Sequence, residues 1–175
     1  ADNMTEISPT VVVCVPRFFE KMYNAVIGNM NKASSIKKKM FWWAIDVGKD
    51  YLAIENSGNK IPFTLKVKHK IANKLIYTKI KAKIGGNIKF FISGGAPLSP
   101  DVAEFFAALN IIILEGYGLT ETSPVLTSNV PGEIKFGFVG RVLENVQLKI
   151  ANDGEILAKG PNIMIGYFKN KEATS

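Results

Sequence analysis

The sequence predicts an α/β protein in which a mostly parallel sheet is flanked by helices and an antiparallel β element is appended at the C-terminal end. Three short apolar runs, at residues 10–15, 88–92 and 111–114, alternate with segments whose apolar residues recur every three or four positions. Alternation of strand-like and helix-like segments is typical of parallel sheets covered by helices. Beyond residue 129 the helical spacing stops, and short strand-like segments with turn residues between them follow.

The first strand and the first long helix are predicted from adjacent segments. The run TVVVCV at residues 10–15 is rich in β-branched residues, which indicates a strand buried on both faces. Pro16 ends this strand and suits the first position of a helix. The apolar face of that helix comprises Phe18, Phe19, Met22, Tyr23, Val26, Ile27 and Met30.

Two further helices are predicted before the second strand. Ser34 or Ser35 is suited to cap the first of them, which ends before the loop NSGNK at residues 56–60. The second helix extends over residues 63–83, and a Gly-Gly pair then ends it. Four of its apolar residues share one face: Val67, Ile71, Leu75 and Ile76.

The next two strands each lead into a glycine-containing loop. The strand at residues 88–92 is followed by the loop SGGAPLS at 93–99, where Ser99 is suited to cap a helix. The strand at 111–114 is followed by the loop EGYGLTET at 115–122.

The C-terminal part is predicted to be rich in short strands. These strands are placed at residues 140–143, 146–150 and 155–159. The sequence Asn-Asp-Gly at 152–154 predicts a hairpin turn between the last two. We therefore divide the chain into an α/β part, residues 1–127, and an incomplete β-rich part of a neighbouring subdomain, residues 128–175.

Composition excludes several classes of protein. The chain has 175 residues, of which 47% are hydrophobic and 21% charged, as in an ordinary globular protein. No apolar run is long enough for a transmembrane helix, and no signal peptide is recognisable. Cys14 is the only cysteine, which excludes a disulfide within the chain and a cysteine-based zinc site. We therefore expect a cytoplasmic protein.

The positive charge is concentrated in the first half of the chain. Residues 1–90 contain 16 Lys and Arg against 6 Asp and Glu, whereas residues 91–175 contain 6 against 9. Only two of the basic residues are arginines, so sequence-specific binding of nucleic acid is not expected. The lysines at 32–39 and 60–89 are suited to anionic lipid or to the phosphates of a cofactor. Two interpretations of these lysines stay open: a solvated lysine-rich surface, and peripheral contact with the anionic inner face of a membrane.

Two loops carry the residues that can do chemistry. Ligands of open parallel sheets bind outside the carboxyl ends of the strands, where both loops are predicted to lie. In the second loop, Tyr117 stands between two glycines and can stack on a planar base. Thr120 and Thr122 can donate hydrogen bonds to phosphate oxygens, and Glu121 is suited to an inner-sphere bond to Mg²⁺.

A structural interpretation of the same loops is also open. Thr120 is suited to cap a helix that begins after the third strand, with Glu121 as an acid in its first turn. The glycines of the first loop would then serve only a turn before Ser99.

The two loops together resemble a known family. SGGAPLS, about twenty residues ahead of GYGLTET, resembles the AMP-forming acyl-CoA synthetases of the adenylating-enzyme superfamily. VGRVLENVQLKI and GEILAKGPNIMIGYFKN are similar to the segment that follows in that family. PTVVVCVPRFFEKMYNAV is similar to its long-chain fatty acid ligase branch, so the resemblance extends from about Ser8 to Thr174.

The resemblance implies a nucleotide site formed by both loops. Tyr117 would stack on adenine, Thr120 would contact the α-phosphate of ATP, and Glu121 would hold Mg²⁺. The remaining implied residues are Gly95, Ala96 and Pro97, whose backbone would lie against adenine, and Gly116 and Gly118, which would line the acyl–adenylate pocket.

The resemblance also implies a reaction in two steps. A fatty acid carboxylate attacks the α-phosphate of ATP to give acyl-AMP and pyrophosphate, and the thiol of coenzyme A then displaces AMP. Because the carboxylate is already a nucleophile, the first step needs alignment and charge neutralisation rather than a Ser–His or Cys–His pair.

Three features of that family are missing from this sequence. It has no phosphate loop ending in lysine, no ribose-binding aspartate beyond Tyr167, and no C-terminal domain with a catalytic lysine. We therefore expect an internal fragment that is inactive alone. Two alternatives remain: an adenylating ligase for an aryl or amino acid, and a non-catalytic nucleotide- or lipid-binding module. Intact Thr120 and Glu121 argue against the second, because a binding module needs no Mg²⁺ ligand.

Overall fold

The computed structural model describes residues 2–174, which form six α-helices and seven strands. The helices are α1 (Asp2–Ile7), α2 (Pro16–Asn31), α3 (Ser35–Asn56), α4 (Phe63–Ala72), α5 (Thr78–Ala82) and α6 (Pro100–Ala108). The strands are β1 (Val11–Cys14), β2 (Phe90–Ser93), β3 (Ile113–Tyr117), β4 (Thr127–Ser128), β5 (Arg141–Val142), β6 (Gln147–Ile150) and β7 (Ile156–Lys159). A π-helical turn (Asn73–Tyr77) joins α4 to α5, and a 3₁₀ turn (Thr120–Thr122) follows β3.

Five strands form one mixed sheet in the order β1-β2-β3-β4-β5. β1, β2 and β3 run parallel, whereas β4 and β5 add antiparallel strands beside β3. β6 and β7 form a separate antiparallel hairpin around the predicted turn. The α/β class with an appended antiparallel element is therefore confirmed. The division between residues 127 and 128 falls within β4 and stays a prediction.

The chain reverses direction directly after β3. Ser123 adopts a left-handed conformation with φ 49°, and the Leu126 N–H donates to the Tyr117 carbonyl at 2.8 Å. A single 3₁₀ turn followed by a strand thus stands where the structural interpretation placed a helix.

The core lies between the sheet and helices α2, α3 and α6, and aromatic rings dominate it. The ring of Phe19 lies 5.5 Å from that of Phe91 and 6.3 Å from that of Phe106, both in edge-to-face geometry. α3 and α6 approach so closely that a Cβ on Gly48 would lie 2.0 Å from the carbonyl oxygen of Ala108. The helices therefore hold β2 and β3, and the loops that follow them, on a packed base.

The first strand differs from its prediction. Val11 and Val13 are exposed, at 42% and 73%, whereas Val12 and Cys14 pack against the core. The prediction that this strand is buried on both faces is wrong, because within the described residues only the helix-facing side of β1, with Val12 and Cys14, is covered.

The lysine-rich helical segment also differs from a simple amphipathic helix. Leu65, Ala72 and Tyr77 are its buried residues, and the Tyr77 hydroxyl donates to the Ala44 carbonyl of α3 at 2.6 Å. The face predicted from the sequence is turned mostly to solvent: Val67, Ile71 and Leu75 are exposed, and Ile76 alone packs against the core. Both sides of this segment contain large apolar side chains, since Ile80 also packs against the core, so the apolar spacing alone does not identify the buried side.

Two serines occupy predicted N-cap positions without capping. Ser34 precedes α3 and Ser99 precedes α6, but neither hydroxyl bonds a backbone N–H of its helix. α6 instead begins with Pro100 and has Asp101 in its first turn, where a carboxylate favours the positive end of the helix dipole.

Within residues 2–174, none of the helices combines the length and the apolar character needed to cross a bilayer.

Candidate functional site

The two predicted loops leave the sheet side by side. β2 and β3 are parallel neighbours, and Ser93 lies opposite Glu115 in their register. The loops at residues 94–99 and 118–122 therefore start from the same edge of the sheet, as predicted. Three residues of the first loop are exposed at this edge: Gly95, Ala96 and Pro97.

Gly95 gives the first loop its turn. Its φ is 83°, a left-handed conformation that favours glycine, and a Cβ placed there would meet no atom within 4 Å. The backbone at Gly95 therefore faces open space, and a planar ligand can approach it closely.

Glu115 joins the second loop to the first. Its side chain is buried, and its carboxylate accepts a hydrogen bond from the Leu98 N–H at 3.3 Å. Burial raises the pKa of this carboxyl, and the N–H groups of Leu98 and Gly137 partly offset that effect. Sequence reasoning assigned no role to Glu115, although a carboxylate at the end of the apolar run IIIL was a signal for one.

The second loop brings three predicted residues to the same edge. Tyr117 is the last residue of β3 and is half-buried. Thr120 is exposed on the 3₁₀ turn, and Glu121 follows it with a partly exposed carboxylate. A ring, a hydroxyl and a carboxylate are therefore available within five positions of each other.

Thr122 is used differently from its prediction. It is buried, and its hydroxyl lies 2.9 Å from the carbonyl oxygens of both Leu119 and Pro124. The same oxygen accepts the Leu119 N–H at 2.9 Å. The prediction that Thr122 donates to phosphate is wrong, because this side chain instead holds the turn that presents Thr120 and Glu121.

Gly116 and Gly118 are required by packing. A Cβ on Gly116 would lie 3.2 Å from the carbonyl oxygen of Thr127, and one on Gly118 would lie 1.7 Å from that of Pro124. Both glycines thus let the returning chain run against β3. Their position along the acyl–adenylate pocket stays a prediction.

A contact from the C-terminal segment reaches the same loop. The hydroxyl of Tyr167 donates to Oε1 of Glu121 at 2.7 Å, and the Met164 N–H donates to the Glu121 carbonyl at 2.8 Å. The hydrogen bond from the Tyr167 hydroxyl, together with one from the backbone N–H of Glu121 itself, lowers the pKa of Glu121. The hydrogen bond between the two side chains also raises the pKa of Tyr167. Glu121 is therefore held as a carboxylate in one orientation.

Asn162 fixes this segment to the loop. Its Nδ2 donates to the carbonyl oxygens of Thr122 at 2.7 Å and Val125 at 3.3 Å. Neither Asn162 nor Tyr167 was assigned a role from the sequence. Both lie in GEILAKGPNIMIGYFKN, so the resemblance of that segment was the available signal.

The residues present are compatible with Mg²⁺ bound together with a nucleotide. A carboxylate has about four lone-pair sites, so Glu121 retains acceptor capacity beside Tyr167. Among residues 2–174, no group of three His, Cys, Asp or Glu side chains is placed to hold a metal by itself. A single carboxylate suits Mg²⁺, which usually takes one or two protein carboxylates and completes its shell with water and phosphate oxygens.

Comparison with known proteins decides the family. The AMP-binding enzyme family matches residues 1–168. The chain belongs to this family. The family predicted from the sequence is thereby confirmed.

Curated relatives of this protein are named as ligases that join long-chain fatty acids to coenzyme A. It is 38% identical over 167 residues to the long-chain-fatty-acid–CoA ligase FadD15 of Mycobacterium bovis, covering 95% of this chain and 27% of the relative. It is 31% identical over 188 residues to the peroxisomal long chain acyl-CoA synthetase 7 of Arabidopsis thaliana, covering 99% of this chain and 25% of the relative. The chain thus spans about a quarter of the length of these relatives.

A solved structure supports the fold. The chain is similar to O-succinylbenzoate coenzyme A synthetase (MenE) from Bacillus subtilis, solved in complex with ATP and magnesium ion, with a TM-score of 0.56 and 17% identity. The match covers 99% of this AMP-binding enzyme chain and 27% of that chain. At this identity it supports the α/β fold alone.

Proposed function

We propose that this chain is part of an AMP-forming long-chain fatty acid–CoA ligase. The enzyme would activate a fatty acid with ATP to acyl-AMP and then transfer the acyl group to coenzyme A. The observation that carries the proposal is the shared sheet edge, where the loop with Tyr117, Thr120 and Glu121 leaves the sheet next to the loop with the open backbone of Gly95. The named function of the relatives supports a long-chain acid as the substrate.

The proposed roles follow from the chemistry of each group. The ring of Tyr117 packs on adenine, and the backbone of Gly95, Ala96 and Pro97 lies against the same base. The Thr120 hydroxyl donates to the α-phosphate. Glu121 holds Mg²⁺, which when bound offsets the negative charge that develops on the phosphates.

The chain's own residues mainly position the substrates. The attacking carboxylate needs no general base, so the principal requirement is that it and the α-phosphate are aligned. Glu115, through Leu98, fixes the spacing between the base-binding loop and the phosphate-binding loop. Tyr167 and Thr122 fix the orientation of the phosphate-binding loop. We further propose that residues 1–175 alone are inactive, since the lysine-containing phosphate loop of the family is not among them.

The deciding experiment is carboxylate-dependent exchange of labelled pyrophosphate into ATP. It should be run on the full-length protein that contains this chain, with straight-chain acids from short to long, an aryl acid set and an amino acid set. Exchange confined to long acyl chains is expected. Exchange with aryl or amino acids only would support adenylation as the activity, but it would assign an aryl or amino acid as the substrate in place of a fatty acid.

Two outcomes would contradict these proposals. No exchange with any acid, in a folded protein that still binds ATP, would favour a non-catalytic nucleotide-binding module. Thioester formation by residues 1–175 alone would refute the proposal that this part is inactive.

A further inference from the structure

The lysine-rich helical segment exposes a continuous apolar stripe. Its members occur at every fourth position of α4 and the π-helical turn: Phe63, Val67, Ile71 and Leu75. Their exposed fractions are 80%, 41%, 45% and 37%. Residues four apart lie on the same side of a helix, so these four side chains form one ridge.

The opposite side of the segment is fixed to the protein. Leu65, Ala72 and Tyr77 are buried, and the Tyr77 hydroxyl bonds the Ala44 carbonyl in α3. The ring of His69 stacks on that of Tyr51 of α3, with centroids 4.1 Å apart. The helix therefore cannot rotate to bury the stripe without breaking these contacts.

Lysines border the stripe on both sides. Lys66, Lys70 and Lys74 each follow a stripe residue by three positions, and Lys68 precedes Ile71 by three. All four are exposed. Residues 57–90 contain nine lysines and no Asp or Glu, so no carboxylate of this segment neutralises them.

We propose that this stripe and its lysines bind the surface of an anionic lipid bilayer. The helix would lie parallel to the surface, with the four apolar side chains at the boundary between headgroups and acyl chains. The lysine stems would extend along the apolar boundary and place their ammonium groups among lipid phosphates. The stripe is too short and too charged to insert across the bilayer.

Charge complementarity selects lipid as the occupant. A second copy of the chain would bring another set of nine lysines against the first, whereas an anionic bilayer supplies both opposite charge and an apolar layer. Single apolar residues on a surface are ordinary, but four in one row with a lysine border are typical of interfacial helices. The proposed surface is independent of ATP activation, although it would place a fatty acid ligase beside a store of its substrate.

The test is co-sedimentation of the full-length protein that contains this chain with lipid vesicles. One set contains phosphatidylglycerol and phosphatidylcholine, and the other contains phosphatidylcholine alone. We expect binding to the anionic set that high salt weakens, and little binding to the neutral set. Equal binding to both sets, or none by folded protein, would overturn the proposal.

Matched variants locate the surface. Phe63→Ser and the double variant K70E/K74E should each lose anionic vesicle binding, the double variant by about fivefold for each lysine removed and further for the added acids. The controls are Phe168→Ser, which removes a ring 89% exposed elsewhere, and K149E/K159E on the β6–β7 hairpin. Both controls should bind as the parent does.

Two further measurements keep the result interpretable. Circular dichroism of each variant checks the fold, and Ile71→Ser provides a second stripe variant. Equal loss of binding in stripe and control variants would contradict the assignment to α4. A stripe variant that changes the oligomeric state and leaves vesicle binding intact would assign the stripe to a second copy of the chain instead.

Discussion

The hydroxyl of Tyr167 donates a 2.7 Å hydrogen bond to the carboxylate of Glu121, across 46 positions of sequence. The Met164 N–H bonds the carbonyl of the same Glu121 at 2.8 Å. The C-terminal segment therefore holds both the backbone and the side chain of the residue proposed to carry Mg²⁺. Such a second contact on a metal ligand orients it and commonly alters metal affinity.

Tyr167→Phe should lower the affinity of the full-length enzyme for Mg²⁺. The variant keeps the ring and removes the hydrogen bond, so the Glu121 carboxylate loses a fixed orientation. We expect the Mg²⁺ concentration for half-maximal pyrophosphate exchange to rise about tenfold, within the usual range for such contacts. Tyr51→Phe, in α3 and away from the loops, is the matched control. An unchanged Mg²⁺ titration in Tyr167→Phe would show that this hydrogen bond does not position the ligand.

Glu121→Gln should reduce adenylation more than nucleotide affinity. The amide oxygen of glutamine can still accept from Tyr167, so the loop stays in place while the charge that holds Mg²⁺ is lost. Because Mg²⁺ serves the charge that develops on the phosphates, the rate of exchange should fall further than ATP binding. Parallel titrations of exchange rate and ATP affinity measure both quantities. Losses of equal size would contradict the assigned role.

The sequence predicts the element order and the site edge well, for a physical reason. Both depend on local patterns: apolar runs indicate strands, periodic spacing indicates helices, and the carboxyl ends of parallel strands share an edge. Gly95, Tyr117, Thr120 and Glu121 consequently lie together as expected.

The contacts that the sequence does not reveal are non-local. The bond between Tyr167 and Glu121 depends on how the chain returns after β7, which no local pattern specifies. The exposure of Val13 depends on which face of β1 the helices cover, and they cover the face of Val12 and Cys14. The inward hydroxyl of Thr122 depends on the reversal after β3. In each case the residue type is compatible with two environments, and tertiary structure selects one.

Gly118→Ala should destabilise the protein, whereas Gly28→Ala should not. A Cβ on Gly118 would lie 1.7 Å from the Pro124 carbonyl oxygen, so the returning chain would have to move. We expect a loss of roughly 2 kcal/mol or more in the free energy of unfolding, as for other overpacked positions. Gly28 lies in α2 with nothing within 4 Å of an added Cβ, so alanine there should stabilise by about 0.5–1 kcal/mol. Urea unfolding measures both, and a stable Gly118→Ala protein would contradict the close approach of the chain to β3.

Tyr77→Phe should lower stability at neutral pH by about 1 kcal/mol, because it removes a buried hydrogen bond to the Ala44 carbonyl. Burial raises the pKa of Tyr77 to about 12, from about 10 in an unfolded chain. The stabilisation from this tyrosine is therefore complete below pH 10 and is lost as the pH rises towards 12.

The phenylalanine variant has no group to ionise at this position. The difference in unfolding free energy between parent and variant should therefore narrow above pH 10, while the lysines and other tyrosines titrate equally in both. Urea unfolding of the pair from pH 8 to pH 11.5, with Tyr51→Phe as the control, measures this difference. A gap that stays constant over that range would show that Tyr77 ionises in the folded protein as readily as in the unfolded chain, and that its hydroxyl is not held in the buried contact with α3.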